Sequence, residues 1–219
     1  RTPLYSAGIA LWAERGGLVA LPNLRGGAEY GERWHRAGML ENKQNVFDDF
    51  HAAGEVLVSG GWTTPAHLGC SGGSNGGLLV GAALTQRPDL FAAVVCAVPL
   101  LDMLRYQHFL IARFWIAEYG SAEDPAQYHW LRAYSPYHQV RADVRYPAVL
   151  FTTAEGDSRV DPGHARKMAA RLQEVQTGDG EAVTLLRVDR DAGHGVGKPL
   201  DKQILDLADQ YAFFAWRLK

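Results

Sequence analysis

Residues 66–79 read Ala-His-Leu-Gly-Cys-Ser-Gly-Gly-Ser-Asn-Gly-Gly-Leu-Leu, an apolar run that breaks at Gly72-x-Ser74-x-Gly76 and resumes as a helix-like stretch. This pattern is typical of a sharp turn between a strand and a helix, with strained backbone angles at its central residue. Small residues two positions away let the chain reverse without a clash. We therefore expect Ser74 to stand at the tip of such a turn, where its hydroxyl can attack a carbonyl carbon.

The rest of the chain alternates short apolar runs with amphipathic ones, which predicts a mostly parallel sheet with helices on both faces. The predicted strands are Gly17–Leu21, Ala66–Ser71, Ala92–Ala97, Ala148–Thr153 and Val183–Val188. The predicted helices are Tyr5–Arg15, Val46–Ser59, Gly76–Gln86, Gly163–Gln176 and Asp201–Leu218. Residues 101–140 are rich in Tyr, Trp and His and predict a partly helical excursion over the strand ends. The class is α/β, and the serine turn indicates an α/β-hydrolase fold.

Such a fold places several strands before its serine, whereas one predicted strand precedes Ser74 here. We therefore expect residues 1–219 to form one catalytic domain that lacks its first strands and is the C-terminal part of a longer protein. The length of 219 residues and the 47% hydrophobic content suit one globular domain.

Charge and composition exclude several classes of partner. The 22 Lys and Arg nearly balance the 24 Asp and Glu, so no overall field favours nucleic acid or anionic lipid. No apolar run approaches the roughly 20 residues of a membrane span. Cys70 and Cys96 lie in predicted strands, which predicts that they pack as small hydrophobic side chains. A disulfide bridge between them stays open as an alternative if the two strands are neighbours. A cytoplasmic location is favoured, and a periplasmic or secreted one stays open.

Ser74 needs a histidine to take its proton and an acid to orient that histidine, in the chain order Ser, acid, His. Of the five histidines that follow, His194 in Ala192-Gly193-His194-Gly195 fits best, since it comes after the last predicted strand. The other four are His108, His129, His138 and His164.

The acid is expected in the loop that follows the predicted strand Ala148–Thr153. Asp157 is favoured because Gly156 permits a sharp turn before it. Glu155 lies closer to the strand end, and Asp161 before Pro162 is typical of a helix cap. Asp102, after the preceding strand, is the remaining alternative.

Acyl transfer also needs donors for the developing oxyanion. The backbone N–H of Asn75, directly after the nucleophile, is one. The second usually comes from a loop that would precede Arg1. Nothing in the sequence suggests a cofactor or a metal, since no His/Cys cluster has ligand spacing.

Five blocks of sequence, in order and over nearly all of the chain, resemble the prolyl oligopeptidase family. They are Asn23–Gly31, Lys43–Phe50, Gly72–Gly77, Trp115 with Glu118-Tyr119-Gly120, and Ala192–Gly195. The resemblance implies Ser74 as nucleophile, Asp157 as acid and His194 as base. It also implies the phenol of Tyr30 as the second oxyanion donor, Arg159 as the group that grips a substrate carbonyl, and Trp115 as the surface on which a substrate proline stacks.

The resemblance further implies cleavage of short proline-containing peptides on the carboxyl side of proline, through an acyl-enzyme. It implies an upstream β-propeller and N-terminal strands in the full protein, and residues 1–219 contain no blade repeat. The alternatives are a related serine hydrolase of other selectivity (another oligopeptidase, an esterase or a peptide cyclase), or an inactive fragment.

Overall fold

The structure is a computed structural model that describes residues 5–176, 181–190, 192–195 and 198–218. Its strands are β1 (Gly69–Gly73), β2 (Ala93–Ala97), β3 (Ala148–Ala154) and β4 (Thr184–Asp189). Its helices are α1 (Ala7–Glu14), α2 (Glu32–Arg36), α3 (Gln44–Ser59), α4 (Asn75–Gln86), α5 (Ile116–Tyr119), α6 (Pro125–Tyr134), α7 (Pro136–Gln139), α8 (Gly163–Val175) and α9 (Leu200–Arg217). Four of the five predicted strands and all five predicted helices are therefore present, with ends that differ from the prediction by at most three residues.

The four strands form one parallel sheet in the order β1-β2-β3-β4. In a parallel sheet all carboxyl ends lie at one edge, so the loops that follow β1, β3 and β4 meet there. This arrangement brings together the three segments in which the sequence predicts a nucleophile, an acid and a base.

Helices cover both faces of the sheet. On one face, α4 and α8 pack against strand residues such as Val94 and Phe151, which are fully buried. On the other face, Phe213 of α9 packs against Val95 and Leu150. Strand side chains alternate between the two faces, and burial on both explains why β2 and β3 are almost continuously apolar. The predicted two-sided α/β architecture is confirmed.

Residues 101–140 form the expected excursion, built from short 3-10 turns and the helices α5, α6 and α7. Its buried side chains, among them Tyr106, Leu131 and Tyr134, form a second core with Phe47 of α3 and Leu78 of α4. The excursion is therefore packed firmly on the helices that flank the serine turn.

The predicted strand Gly17–Leu21 is wrong, because these residues form no regular secondary structure. A strand needs a neighbour to accept its backbone hydrogen bonds. Residues 17–22 instead line one wall of a cavity of about 610 Å³, and Cys70 and Ser71 of β1 line another. The two segments are thus separated by open space, and among the residues that the structure describes β1 pairs with β2 alone.

The two cysteines are free and buried, as small core side chains. Cys70 lies opposite Val94, and Cys96 lies opposite Gly72. The two thiols are therefore not cross-strand neighbours in the register of β1 and β2. Across the described residues, none of the helices has both the length and the apolar character that a membrane crossing requires.

Candidate active site

The turn between β1 and α4 holds Ser74 in a strained conformation. Its backbone angles are φ 58° and ψ −117°, a region that residues with a side chain rarely adopt. The amide of Ser74 donates to the carbonyl of Ala97 at 2.9 Å, and its carbonyl accepts from the amide of Leu78 at 3.1 Å. Neighbouring backbone therefore fixes the strained residue on both sides.

Glycines make this turn possible by close backbone approach. A Cβ on Gly72 would lie 2.1 Å from the carbonyl oxygen of Gly76, and one on Gly77 would lie 2.7 Å from Pro99. A Cβ on Gly76 would meet nothing within 4 Å. A glycine is therefore required at position 72, as the sequence predicts. After the serine, the position that requires a glycine is 77 and not 76.

Three side chains form a continuous hydrogen-bonded chain. The hydroxyl of Ser74 lies 3.1 Å from Nε2 of His194, and Nδ1 of His194 lies 2.7 Å from Oδ2 of Asp157. The Asp157 side chain is fully buried, and that of His194 is 16% exposed. Among the predicted candidates, the structure brings these three together, in the geometry that general-base activation of a serine requires.

The loop that follows β3 holds the carboxylate of Asp157 in place. Its second oxygen, Oδ1, accepts from the backbone N–H groups of Arg159 and Val160, both at 2.9 Å. Because both oxygens are occupied, the carboxylate presents one fixed edge to His194.

The alternative acids have other partners. Asp102 is buried and pairs with Lys167 and Arg105. Asp161 accepts from the N–H of Gly163 at 2.7 Å, at the start of α8, which is the capping role that the sequence predicts. Glu155 is half exposed and lies 3.7 Å from Arg166.

The alternative histidines also lie elsewhere. His164 is buried beside Asp102, and its Nδ1 accepts from the amide of that residue at 3.1 Å. His138 contacts the hydroxyl of Ser135 at 2.8 Å. His108 lies 3.5 Å from Glu123, and His129 stacks edge-on against Tyr128.

A pocket of about 300 Å³ opens beside Ser74. Trp115 and Arg159 both line it, and the guanidinium carbon lies 5.7 Å from the centre of the indole ring. The remaining lining residues are Gly26, His35, Asn75, Leu100, Glu118 and Tyr119. An aromatic ring and a cationic side chain thus line the pocket next to the nucleophile.

Asn75 begins α4, so its backbone N–H has no partner within that helix. It is available to a developing oxyanion beside Ser74.

Tyr30 is not brought to this pocket. Its side chain is 64% exposed, and its hydroxyl accepts from Nδ2 of Asn23 at 3.2 Å. Its ring packs edge-on against Trp34. The oxyanion role that the resemblance implies for Tyr30 therefore finds no support in this arrangement.

Sequence reasoning missed a charged group in the pocket wall. Glu118 lies 2.9 Å from Nε2 of His35 and 3.4 Å from Nζ of Lys43. Lys43 is almost completely buried, and this burial lowers the pKa of its ammonium, while Glu118 opposes the effect. Lys43 and Glu118 lie in two of the five sequence blocks that carry the resemblance, and that was the available signal.

A serine held by this turn and joined to a histidine and a buried aspartate, on a parallel sheet, defines a serine hydrolase with the α/β-hydrolase fold. Residues 3–219 match the family described as the prolyl oligopeptidase family, and the chain belongs to that family. Its members are serine peptidases, so a peptidase is the shared class of enzyme.

Known relatives support the assignment to this family. A prolyl endopeptidase from Elizabethkingia miricola is 43% identical over 99% of this chain, which covers 30% of that protein. A solved structure from a study of two prolyl endopeptidases superposes with a TM-score of 0.94 and 55% identity over 98% of this chain and 31% of its own.

A third relative is prolyl oligopeptidase B from Galerina marginata, solved with a 35mer hydrolysis and macrocyclization substrate. It has a TM-score of 0.84 and 39% identity over 89% of this chain and 27% of its own. The chain thus spans less than a third of the length of these three relatives.

Proposed function

We propose that this chain is the catalytic region of a serine peptidase that hydrolyses short peptides on the carboxyl side of proline. The observation that carries the proposal is the hydrogen-bonded chain from Ser74 through His194 to Asp157, in which Ser74 lines the same pocket as Trp115.

The reaction starts with the proton of Ser74. Nε2 of His194 accepts it as Oγ attacks the carbonyl carbon, and Asp157 stabilises the imidazolium that forms. The N–H of Asn75 donates to the developing oxyanion. His194 then gives the proton to the leaving amine, and an acyl-enzyme on Ser74 remains. Water attacks this ester by the same steps in reverse order and releases the new carboxyl terminus.

Selectivity comes from the pocket wall. The flat indole of Trp115 suits a rigid, apolar pyrrolidine ring, and the guanidinium of Arg159 suits a carbonyl acceptor one residue further along the acyl side. The contact between Arg159 and Trp115 keeps both groups on the same wall. The names of the relatives, which include prolyl endopeptidases, support the preference for proline.

Two measurements test the proposal on the protein expressed from its complete reading frame. A fluorophosphonate should label Ser74 of the parent and should not label Ser74→Ala. The same variant should lose cleavage of an N-acylated glycyl-proline reporter by a factor on the order of 10⁴ or more. Ser121→Ala, in the excursion, is the matched control. Activity retained by Ser74→Ala would refute the proposal.

Proline selectivity has its own test. Trp115→Ala should lose about 10-fold or more on the proline reporter, and little on an alanine reporter of the same length. Equal losses on both would show that the indole has no selective contact with proline.

A second candidate is transfer of the acyl group to a peptide amine, which would close a ring. It is favoured by the likeness to the Galerina marginata structure, whose bound peptide is a macrocyclization substrate. Mass spectrometry of a long proline-containing peptide separates the two outcomes, since a cyclic product lacks the water that a hydrolysed one gains.

A further inference from the structure

The side chain of Asn75 is exposed in the pocket and has one hydrogen-bond partner among the described residues. Its Oδ1 lies 2.8 Å from the hydroxyl of Tyr119, the donor in this hydrogen bond. Its Nδ2 has no acceptor within hydrogen-bond distance in the part of the chain that the structure describes. The carboxamide oxygen is thus held by a hydrogen bond, and the two N–H groups on Nδ2 can donate to a ligand in the pocket.

The direction of this hydrogen bond follows from the surroundings of Tyr119. Its side chain is buried, and in the described ranges its hydroxyl reaches no acceptor other than Asn75. Most buried O–H groups in proteins have an acceptor, and beside Tyr119 the amide oxygen can serve as one whereas the amide nitrogen cannot. Burial also raises the pKa of Tyr119, so the phenol keeps its proton at neutral pH.

Tyr119 is itself held from three sides. Nζ of Lys43 lies 5.1 Å from the centre of its ring, and the ring of Tyr106 packs edge-on at 5.5 Å. The indole N–H of Trp130 donates to its backbone carbonyl at 3.2 Å. A phenol fixed in this way gives the Asn75 carboxamide one orientation before substrate arrives, which reduces the ordering cost of binding.

We propose that Tyr119 is a positioning residue, which orients the Asn75 side chain so that its Nδ2 donates to a backbone carbonyl on the acyl side of the peptide substrate. The proposal rests on the proposed function, because Trp115 and Arg159 of the same pocket define that side. Asn75 then acts twice, with its backbone N–H on the scissile carbonyl and its side chain on a neighbouring one.

Tyr119→Phe removes the hydroxyl and keeps the ring. We expect kcat/KM for the N-acylated glycyl-proline reporter to fall about 5- to 20-fold, the usual range for one lost hydrogen bond to substrate. Labelling of Ser74 by a fluorophosphonate, which has no peptide carbonyls, should change less than twofold. Tyr134→Phe is the matched control, since its buried hydroxyl, in the same core, has no hydrogen-bond partner among the residues described.

Two further measurements separate a positioning role from a structural one. In an Asn75→Ala background, Tyr119→Phe should cost less than twofold, because the group that it orients is gone. On a reporter with an E-alkene in place of the peptide bond before proline, parent and Tyr119→Phe should react at similar rates.

Three results would overturn the proposal. They are an unchanged kcat/KM on the reporter, equal losses on the peptide and its alkene isostere, or a parallel loss of labelling. A parent protein that is labelled at Ser74 and cleaves no proline reporter contradicts the proposed function instead. A parent that cleaves the reporter while Tyr119→Phe is unaffected contradicts the positioning role alone.

Discussion

The two sides of strand β1 differ sharply in how well they are packed. Towards β2, and at its carboxyl end, Ser74 is held by backbone hydrogen bonds and by the chain through His194 to Asp157. On its other side lies the cavity of about 610 Å³ lined by residues 17–22. There Leu18 is 53% exposed and Leu21 59% exposed.

The contrast shows which parts of the site this chain can hold by itself. The nucleophile, acid and base come from the segments that follow β1, β3 and β4, and most of the pocket wall also comes from residues after β1, although Gly26 and His35 precede it. The side with open space contributes apolar surface and no group of the hydrogen-bonded chain. Exposed apolar side chains grouped around a cavity mark a surface that another segment or molecule can cover.

Of the changes that compare the two sides of β1, we expect the largest effect at Gly72, near the carboxyl end of this strand. Gly72→Ala places a Cβ against the carbonyl of Gly76 and must displace the serine turn. A displacement of about 1 Å at a nucleophile costs on the order of 100-fold in rate, so we expect at least that loss in reporter cleavage. Gly76→Ala, which has open space, is the control and should stay within a few-fold of the parent. Equal losses would show that the close approach at Gly72 is not what shapes the turn.

The next prediction compares the packed and the open region by stability. Phe151→Ala, in the fully buried centre of β3, should lower the free energy of unfolding by about 3–5 kcal/mol. Leu21→Ser, in the exposed wall of the cavity, should change it by less than about 0.5 kcal/mol. Urea denaturation of both variants measures the difference. A loss above about 2 kcal/mol for Leu21→Ser would show that this wall is covered in solution.

A third prediction uses pH to test the packed region. Burial lowers the pKa of His164 from 6.5 to about 4, against the opposing effect of Asp102 and Asp161. As pH falls, the imidazole is protonated in the unfolded chain before it is protonated in the folded one, because its pKa is higher there. The contribution of His164 to the free energy of unfolding is therefore complete above about pH 6.5 and is lost as pH falls towards 4. At about 1.4 kcal/mol per pKa unit, the loss reaches about 3 kcal/mol.

His164→Gln removes this imidazole and keeps a side-chain acceptor for the backbone amides. Thermal unfolding of parent and variant between pH 4 and 7 measures the difference in slope. Parallel curves would mean that His164 is accessible to protons in the native state.

The smallest effect is expected at Tyr30. Because its phenol contacts Asn23 and does not line the pocket, Tyr30→Phe should change kcat/KM for the reporter by less than about twofold. A loss of 10-fold or more would show that the residue moves to Ser74 when substrate binds, as the resemblance implies.

Four of the five strands and all five helices predicted from the sequence are present, and the residues predicted as nucleophile, acid and base lie within hydrogen-bond distance of one another, because each has a strong local signature. Ser74 sits in a glycine-rich turn, Asp157 follows Gly156, and His194 stands between two glycines. Prediction failed at Gly17–Leu21, where the apolar pattern is right for a strand and no pairing neighbour exists in the chain described. Local pattern carries no information about a missing partner.

The pocket wall shows another limit. Tyr30 lies in a sequence block that resembles the family, yet its exposed position could not be inferred from spacing. The contact from Tyr119 to Asn75 joins residues 44 positions apart, and no periodicity links them. Contacts of that kind depend on how the excursion packs on α3 and α4, which is a property of the whole fold.

The buried thiols of Cys70 and Cys96 have a practical consequence for kinetic work. Burial raises the pKa of both, so neither is a reactive thiolate in the native state, and the chain has no other cysteine. Cys96 is fully buried in β2, so an alkylating reagent can modify it only when the packing around this strand opens, whereas Cys70 also lines the cavity beside β1. The rate of mass gain at Cys96 on exposure to iodoacetamide therefore reports, without any engineered label, how often β2 opens beside the strand that carries the nucleophile.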